Sequence, residues 1–124
     1  MKKILLLPID ERPCNYLFPQ MLVRDTEYEV VCPPYEIMPH QKQAGDCVRL
    51  LAFLEQHMAT STAVLLSLNT LLYGGLVPSR VHSDSVETVA ARLESFRQLR
   101  RRYPQVKVYA YTLIMRCNRG NNDE

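Results

Sequence analysis

Four apolar runs, each followed directly by a polar or glycine-containing cluster, constrain the fold of this chain more than any other feature. The run ILLLPI is followed by Asp-Glu-Arg at residues 10–12, and the run AVLLSL is followed by Asn69. Runs that are apolar on both faces are typical of strands buried in a parallel sheet. The carboxyl ends of parallel strands share one edge, where open α/β sheets and barrels bind their ligands. We therefore expect the polar clusters to meet at one edge.

Segments with helical spacing of apolar residues alternate with these runs. The pattern predicts strands at 3–8, 28–32, 63–68 and 106–115, helices at 15–24, 46–58 and 86–103, and a loop at 69–82. Asp46 is a suitable N-cap for the second helix, and Asp84 with Glu87 predicts a capping-box variant for the third. The order βαβαβαβ indicates a parallel α/β sheet. It fits either half of a (β/α)8 barrel or part of an open three-layer, Rossmann-like sheet.

The length of 124 residues allows one small domain. We assign residues 1–117 to a single α/β domain and residues 118–124 to a frayed polar tail. A buried fourth strand needs a helix after it, and three helices leave apolar surface uncovered on at least one face of the sheet. We therefore expect the chain to be the N-terminal part of a larger α/β protein, or to form a homo-oligomer that covers the bare face.

Composition excludes several partners. The chain is 47% hydrophobic and 23% charged with a net charge of +2, which favours neither nucleic acid nor a membrane as a partner. The apolar run after Lys2-Lys3 is too short for a signal peptide, so we expect a cytoplasmic protein. Four cysteines without a CxxC pair indicate free, buried or half-buried structural thiols, and no metal site is predicted; the cysteines are Cys14, Cys32, Cys47 and Cys117.

The cluster after the first run offers the clearest chemistry. Asp10 and Glu11 are candidate catalytic carboxylates, and Arg12 is suited to binding a carboxylate or phosphate with two hydrogen bonds. The alternative is a charged turn in which Asp10 caps the following helix and Arg12 pairs with Glu11. The two interpretations stay open from the sequence alone.

Later clusters add candidate ligand contacts. Gly74-Gly75 predicts either main-chain N–H groups that approach a ligand or a tight turn with positive φ. Ser79 and Arg80 would extend an anion site, and Arg116 would point toward the same crevice as Arg12 if it is not a solvated terminal charge. The chain has neither a dinucleotide fingerprint nor a phosphate-binding loop, so the cofactor is left unassigned.

Three strings resemble a bacterial family known only as a domain of unknown function: LLLPIDERPCNY, SLNTLLYGGLVPSR and IMR. Its members carry an LPLD(D/E)RP-like segment and later an SLDxLxYGGLxxSR-like segment, so the resemblance covers essentially the whole chain. The family's greater length implies that this chain is an N-terminal part. Asn69 stands where the family pattern has Asp. The candidate ligand-binding residues are Arg12, Asn15, Asn69, Tyr73, Gly74, Gly75, Ser79, Arg80 and Arg116.

We consider three functions on these residues. The first is a hydrolase-type enzyme for a small polar, anionic or sugar-derived substrate, with Asp10 as acid or base and the arginines as clamps; a second carboxylate would come from elsewhere. The second is a non-catalytic module that binds an anion or another small molecule. The third is an inactive remnant, because Asn69 replaces an Asp and thereby removes a charge and a proton acceptor.

Overall fold

Four parallel strands form one sheet in the computed structural model, which describes residues 1–114. The strands are β1 (Lys2–Leu7), β2 (Tyr28–Val31), β3 (Ala63–Ser67) and β4 (Lys107–Tyr111). Every neighbouring pair is parallel, and the order across the sheet is β2-β1-β3-β4. The predicted parallel α/β fold is therefore confirmed. Arg116, Cys117 and the predicted tail at 118–124 lie outside the described residues.

The strand order selects between the two predicted architectures. In a (β/α)8 barrel each strand lies next to the one that follows it in sequence, which would give the order β1-β2-β3-β4. Here β1 lies between β2 and β3. The chain therefore places β2 on one side of β1 and then crosses over to place β3 and β4 on the other side. That reversal is typical of an open, doubly wound sheet and creates a switch point at the carboxyl ends of β1 and β3. The half-barrel alternative does not fit.

Within residues 1–114, six α-helices lie between the strands. They are α1 (Pro13–Tyr16), α2 (Phe18–Leu22), α3 (Cys47–Met58), α4 (Leu68–Tyr73), α5 (Leu76–Val81) and α6 (Val86–Arg102), with a short 3-10 helix at Tyr35–Ile37. The predicted helix at 46–58 and its cap are confirmed, since the Asp46 side chain accepts a hydrogen bond from the Arg49 amide. The predicted helix at 15–24 is instead two short helices. Pro13 and Pro19 each occupy a first turn, where the missing N–H costs nothing.

Three sequence predictions about element boundaries are wrong. The segment 69–82 is not a loop, because α4 and α5 occupy it and meet at Gly74-Gly75. The cap of α6 is Ser85, whose Oγ accepts from the Thr88 amide at 3.1 Å, whereas Asp84 pairs with Arg92 at 3.0 Å. Strand β4 ends at Tyr111, so the described residues 112–114 do not extend it as predicted.

The hydrophobic core lies on one face of the sheet. Register pairs such as Leu5 with Val64 and Leu7 with Leu66 are fully buried there. Helices α3 and α6 pack on this face through Leu50, Leu54, Met58, Phe96 and Leu99. Each such side chain contributes about 1.5–3 kcal/mol by its burial. The core thus fixes the two central strands, whose carboxyl ends carry the candidate site.

The opposite face of the sheet is open over β3 and β4. Leu65 and Tyr109 are register partners on that face, with exposed fractions of 37% and 55%. This agrees with the uncovered apolar surface expected from the sequence. Coverage by a second copy stays a prediction. No helix within residues 1–114 is both long and apolar enough to cross a bilayer.

Candidate functional site

A crevice of about 360 Å³ lies at the switch point between the carboxyl ends of β1 and β3. Its lining comes from the segment after β1, the segment after β2 and the start of α5. These residues are Asp10, Glu11, Arg12, Pro39, Gln41, Leu76, Val77 and Pro78. One wall is therefore charged and the other is largely apolar. This is the position at which doubly wound sheets bind ligands.

Asp10 organises the charged wall. The residue is only 7% exposed, and its Oδ1 accepts hydrogen bonds from the Arg12 amide at 3.1 Å and from Asn15 Nδ2 at 2.8 Å. Its Oδ2 accepts from Arg12 Nε at 2.7 Å. Of the two sequence interpretations of this turn, the predicted pairing of Arg12 with Glu11 is wrong, because Arg12 pairs with Asp10. The N-cap position of α1 belongs to Arg12, so Asp10 stabilises the turn before the helix.

Arg12 is held at one edge and open at the other. Its Nε is engaged by Asp10, whereas within residues 1–114 neither Nη atom has a hydrogen-bond acceptor. The side chain is 61% exposed. The hydrogen bond to Asp10, together with the charge of that carboxylate, raises the pKa of Arg12 above its ordinary value. The guanidinium is thus a fixed positive group with donors available to a ligand.

Glu11 joins two walls of the crevice. Its Oε1 accepts a hydrogen bond from the Gln41 amide at 3.1 Å, and Gln41 adopts a positive φ of 56° to present that amide. Among the described residues, no hydrogen bond involves the second carboxylate oxygen of Glu11. Glu11 therefore connects the segment after β2 to the segment after β1 and keeps one oxygen for a ligand or a proton.

Gly74 and Gly75 serve packing, and their amides are already used. Both have positive φ, 86° and 141°, as the tight-turn alternative predicted. The Gly74 amide donates to the Thr70 carbonyl at 2.9 Å, and the Gly75 amide donates to the Asn69 carbonyl at 3.1 Å. A Cβ at Gly75 would lie 2.7 Å from Pro39 Cγ. Both amides are thus paired within the chain, and the glycines let α5 approach the Pro39 wall; a contact of these residues with a ligand stays a prediction.

Asn69 and Ser79 lie behind the crevice and do not line it. Asn69 is buried, and its Nδ2 donates to Ser79 Oγ at 3.2 Å. Its Oδ1 accepts from the Leu113 amide at 3.0 Å and from Thr112 Oγ1 at 3.2 Å. Ser79 Oγ in turn donates to the Leu76 carbonyl at 2.6 Å. These side chains hold α4, α5 and the chain after β4 together.

The remaining predicted residues are separated from the crevice or lie outside the described part. Tyr73 packs against His82 in a tilted arrangement with ring centroids 4.4 Å apart, and both line a different cavity of about 210 Å³ beside α6. Arg80 is exposed on α5 and is not among the residues that line the crevice. Arg116 lies beyond residue 114. The structure therefore gathers Asp10, Glu11, Arg12 and Asn15, but not the whole predicted set.

Comparison with protein families identifies the group. A family model described as a protein of unknown function, DUF4127, matches residues 4–124. The chain belongs to this family. The resemblance stated from the sequence motifs is confirmed by this match, which brings no reaction with it. A comparison with curated proteins finds no match.

Several crevice residues of this DUF4127 chain were missed by sequence reasoning. Pro39 and Gln41 lie well beyond the end of β2, and the sequence analysis considered only residues that directly follow a strand. Leu76, Val77 and Pro78 lie inside the family motif, but apolar residues carried no chemical signal. Tyr111 is a further neighbour: burial, and secondarily the charge of Asp10, raise its pKa.

The thiols and the acidic groups do not form a metal centre in the described part. Within residues 1–114 no group of three or more His, Cys, Asp or Glu side chains is arranged to hold a metal ion. Cys32 and Cys47 are half-buried, as expected, and burial raises the pKa of Cys32 to about 12. Cys14 is exposed, which contradicts the predicted burial; it lies on α1, away from the core.

Proposed function

We propose that this chain supplies the substrate crevice of a hydrolase-type enzyme that acts on a small polar substrate. The observation that carries the proposal is the pairing, in one cavity at the switch point, of a half-satisfied carboxylate with a fixed guanidinium. A carboxylate can move a proton, and a guanidinium can orient polar groups of the substrate. The ordinary charge and hydrophobic content of the chain support a cytoplasmic location for this activity.

The hydrogen bonds suggest a division of roles between the two carboxylates. Asp10 accepts three hydrogen bonds from its neighbours, which suits a positioning residue for Arg12. Glu11 has one described hydrogen bond and lines the same cavity, which suits a general acid or base. Glycoside hydrolysis needs a second carboxylate several ångströms away, and in this proposal residues outside the described part provide it.

The test compares two carboxylate variants in a screen of aryl glycosides and aryl esters. We expect Glu11→Gln to lower kcat by about 10²–10⁴-fold with little change in KM, because it removes proton transfer. We expect Asp10→Asn to raise KM, because Arg12 loses its anchor. Asp25→Asn, an exposed carboxylate after α2, is the matched control and should leave both constants unchanged. Turnover that survives Glu11→Gln would exclude the proposed role.

A non-catalytic binding module is the second candidate. The complete pairing of Asp10 and the open edge of Arg12 also suit a site that only holds its ligand. In that case a ligand raises the melting temperature, Glu11→Gln changes affinity alone, and the wild type hydrolyses nothing in the screen. An inactive remnant would respond to no ligand at all.

A further inference from the structure

We infer that the ligand of this crevice is an uncharged polyol, recognised through a vicinal pair of sugar-type hydroxyl groups and not through an anionic group. The inference rests on the proposed use of the crevice for a small polar substrate. Of the small polar, anionic and sugar-derived substrates considered from the sequence, it selects uncharged sugar-type molecules.

The lining carries an excess of negative charge. Among the lining residues within 1–114, two carboxyl groups, those of Asp10 and Glu11, face one guanidinium, that of Arg12, and the other five residues are uncharged. Asp10 already occupies the Nε edge of Arg12 and neutralises much of its charge. An anionic ligand at the Nη edge would therefore meet the charge of Glu11 without a second cation among the described lining residues. An uncharged ligand meets no such repulsion.

The free hydrogen-bonding groups call for a ligand that both donates and accepts. The Nη atoms of Arg12 offer only donors, and the carboxylate of Glu11 offers only acceptors when ionised. A carboxylate or phosphate ligand would pair with Arg12 and leave the second carboxylate oxygen of Glu11 without a donor, and an amine would do the reverse. A hydroxyl group accepts and donates, so two adjacent hydroxyls can pair with both residues at once.

The opposite wall suits the carbon side of a sugar ring. Pro39, Leu76, Val77 and Pro78 present apolar surface, and the Glu11–Gln41 hydrogen bond keeps this wall close to the charged one. The volume of about 360 Å³ is at the small end of ligand pockets, which suits one or two sugar units. Asp10 fixes the Arg12 side chain before the ligand arrives, so little side-chain freedom is lost on binding.

The test measures binding of matched neutral and charged sugars by isothermal titration calorimetry. The probes are the methyl glycosides of glucose, galactose and mannose, the corresponding uronates, the corresponding 2-amino sugars and inorganic phosphate. We expect at least one neutral glycoside to bind at least tenfold tighter than its uronate in 50 mM salt. The difference should shrink in 500 mM salt and in Glu11→Gln, since both changes weaken the repulsion of the uronate.

Arg12→Met is the second variant, and it should weaken binding of the neutral glycoside at least tenfold. Arg24→Met, which removes an exposed arginine beyond α2, is its matched control and should bind like the wild type. A uronate, an amino sugar or phosphate that binds tighter than every neutral glycoside would overturn the inference. Failure of all probes to bind would overturn it as well.

The inference and the proposed function can fail separately. If a neutral glycoside binds through Arg12 but its aryl derivative is never hydrolysed, the polyol ligand is supported and the hydrolase function is contradicted. If hydrolysis depends on Glu11 but a uronide is the preferred substrate, the hydrolase function is supported and the uncharged ligand is contradicted.

Discussion

The buried amide of Asn69 connects three segments that are distant in sequence. It donates to Ser79 of α5 and accepts from Thr112 and Leu113 after β4. We expect Asn69→Ala to lower the free energy of unfolding by about 1–3 kcal/mol, because it leaves partners of a buried group unsatisfied. Urea denaturation followed by circular dichroism measures the change.

Two further variants define what Asn69 contributes. Asn69→Asp keeps the two acceptor contacts but loses the donor to Ser79 and buries a negative charge, so its cost should be at least that of Asn69→Ala. Gln43→Ala removes an exposed amide side chain that has no hydrogen bond among the described residues, and it should be nearly neutral. Equal stability of Asn69→Ala and wild type would show that this cluster does not hold the segments together.

His57 should make stability depend on pH. Burial, and then the charge of Lys3, lower the pKa of His57 below its ordinary value, and Lys3 Nζ lies 3.2 Å from His57 Nδ1. The unfolded chain therefore takes up this proton at a higher pH than the folded chain. The contribution is fully present above the unfolded pKa of about 6.5 and is lost as pH falls through the folded pKa.

The measurement is the urea midpoint between pH 5 and pH 8. We expect wild type to lose stability on acidification more steeply than His57→Gln, which carries no titrating ring. Lys3→Met should fall between the two, because it removes the smaller of the two causes. Identical profiles for wild type and His57→Gln would contradict the prediction.

At the scale of elements, the start of α6 depends on one hydroxyl group. Ser85 Oγ accepts from the Thr88 amide at 3.1 Å. We expect Ser85→Ala to cost about 1 kcal/mol of stability and Ser85→Asp to cost little, since both Ser and Asp cap helices well. Ser95→Ala, the same substitution in the middle of α6, is the control and should be neutral or slightly stabilising. A loss at Ser95 equal to that at Ser85 would exclude capping as the cause.

The two helices whose bounds the sequence predicted closely are those long enough to show a repeat. Helix α3 spans 12 residues and α6 spans 17, so an apolar stripe recurs over several turns in each. Helices α4 and α5 span six residues each, too few for a period to emerge. The adjacent glycines then suggested a loop, whereas they mark the αL end of α4 and the beginning of α5.

At the scale of the whole molecule, the site depends on a strand order that no local pattern encodes. Strand ends could be recognised from the sequence, so Asp10, Glu11 and Arg12 were identified correctly as neighbours at the carboxyl edge. The crossover from β2 to the other side of β1 is set by tertiary packing. It brings Pro39, Gln41 and the start of α5 next to these three residues. Sequence reasoning therefore identified the charged wall and missed the apolar one.

The open face of the sheet leads to the last prediction. Leu65 and Tyr109 lie side by side on β3 and β4, and contiguous exposed apolar patches are uncommon on monomers. We expect the chain to self-associate through this face, so its average mass in sedimentation equilibrium should rise with concentration. Leu65→Lys should abolish the rise, because a dimer would have to bury the new charge. Val48→Lys, on the exposed side of α3, should leave it unchanged. A wild-type chain that stays monomeric at every protein concentration would contradict self-association through this face.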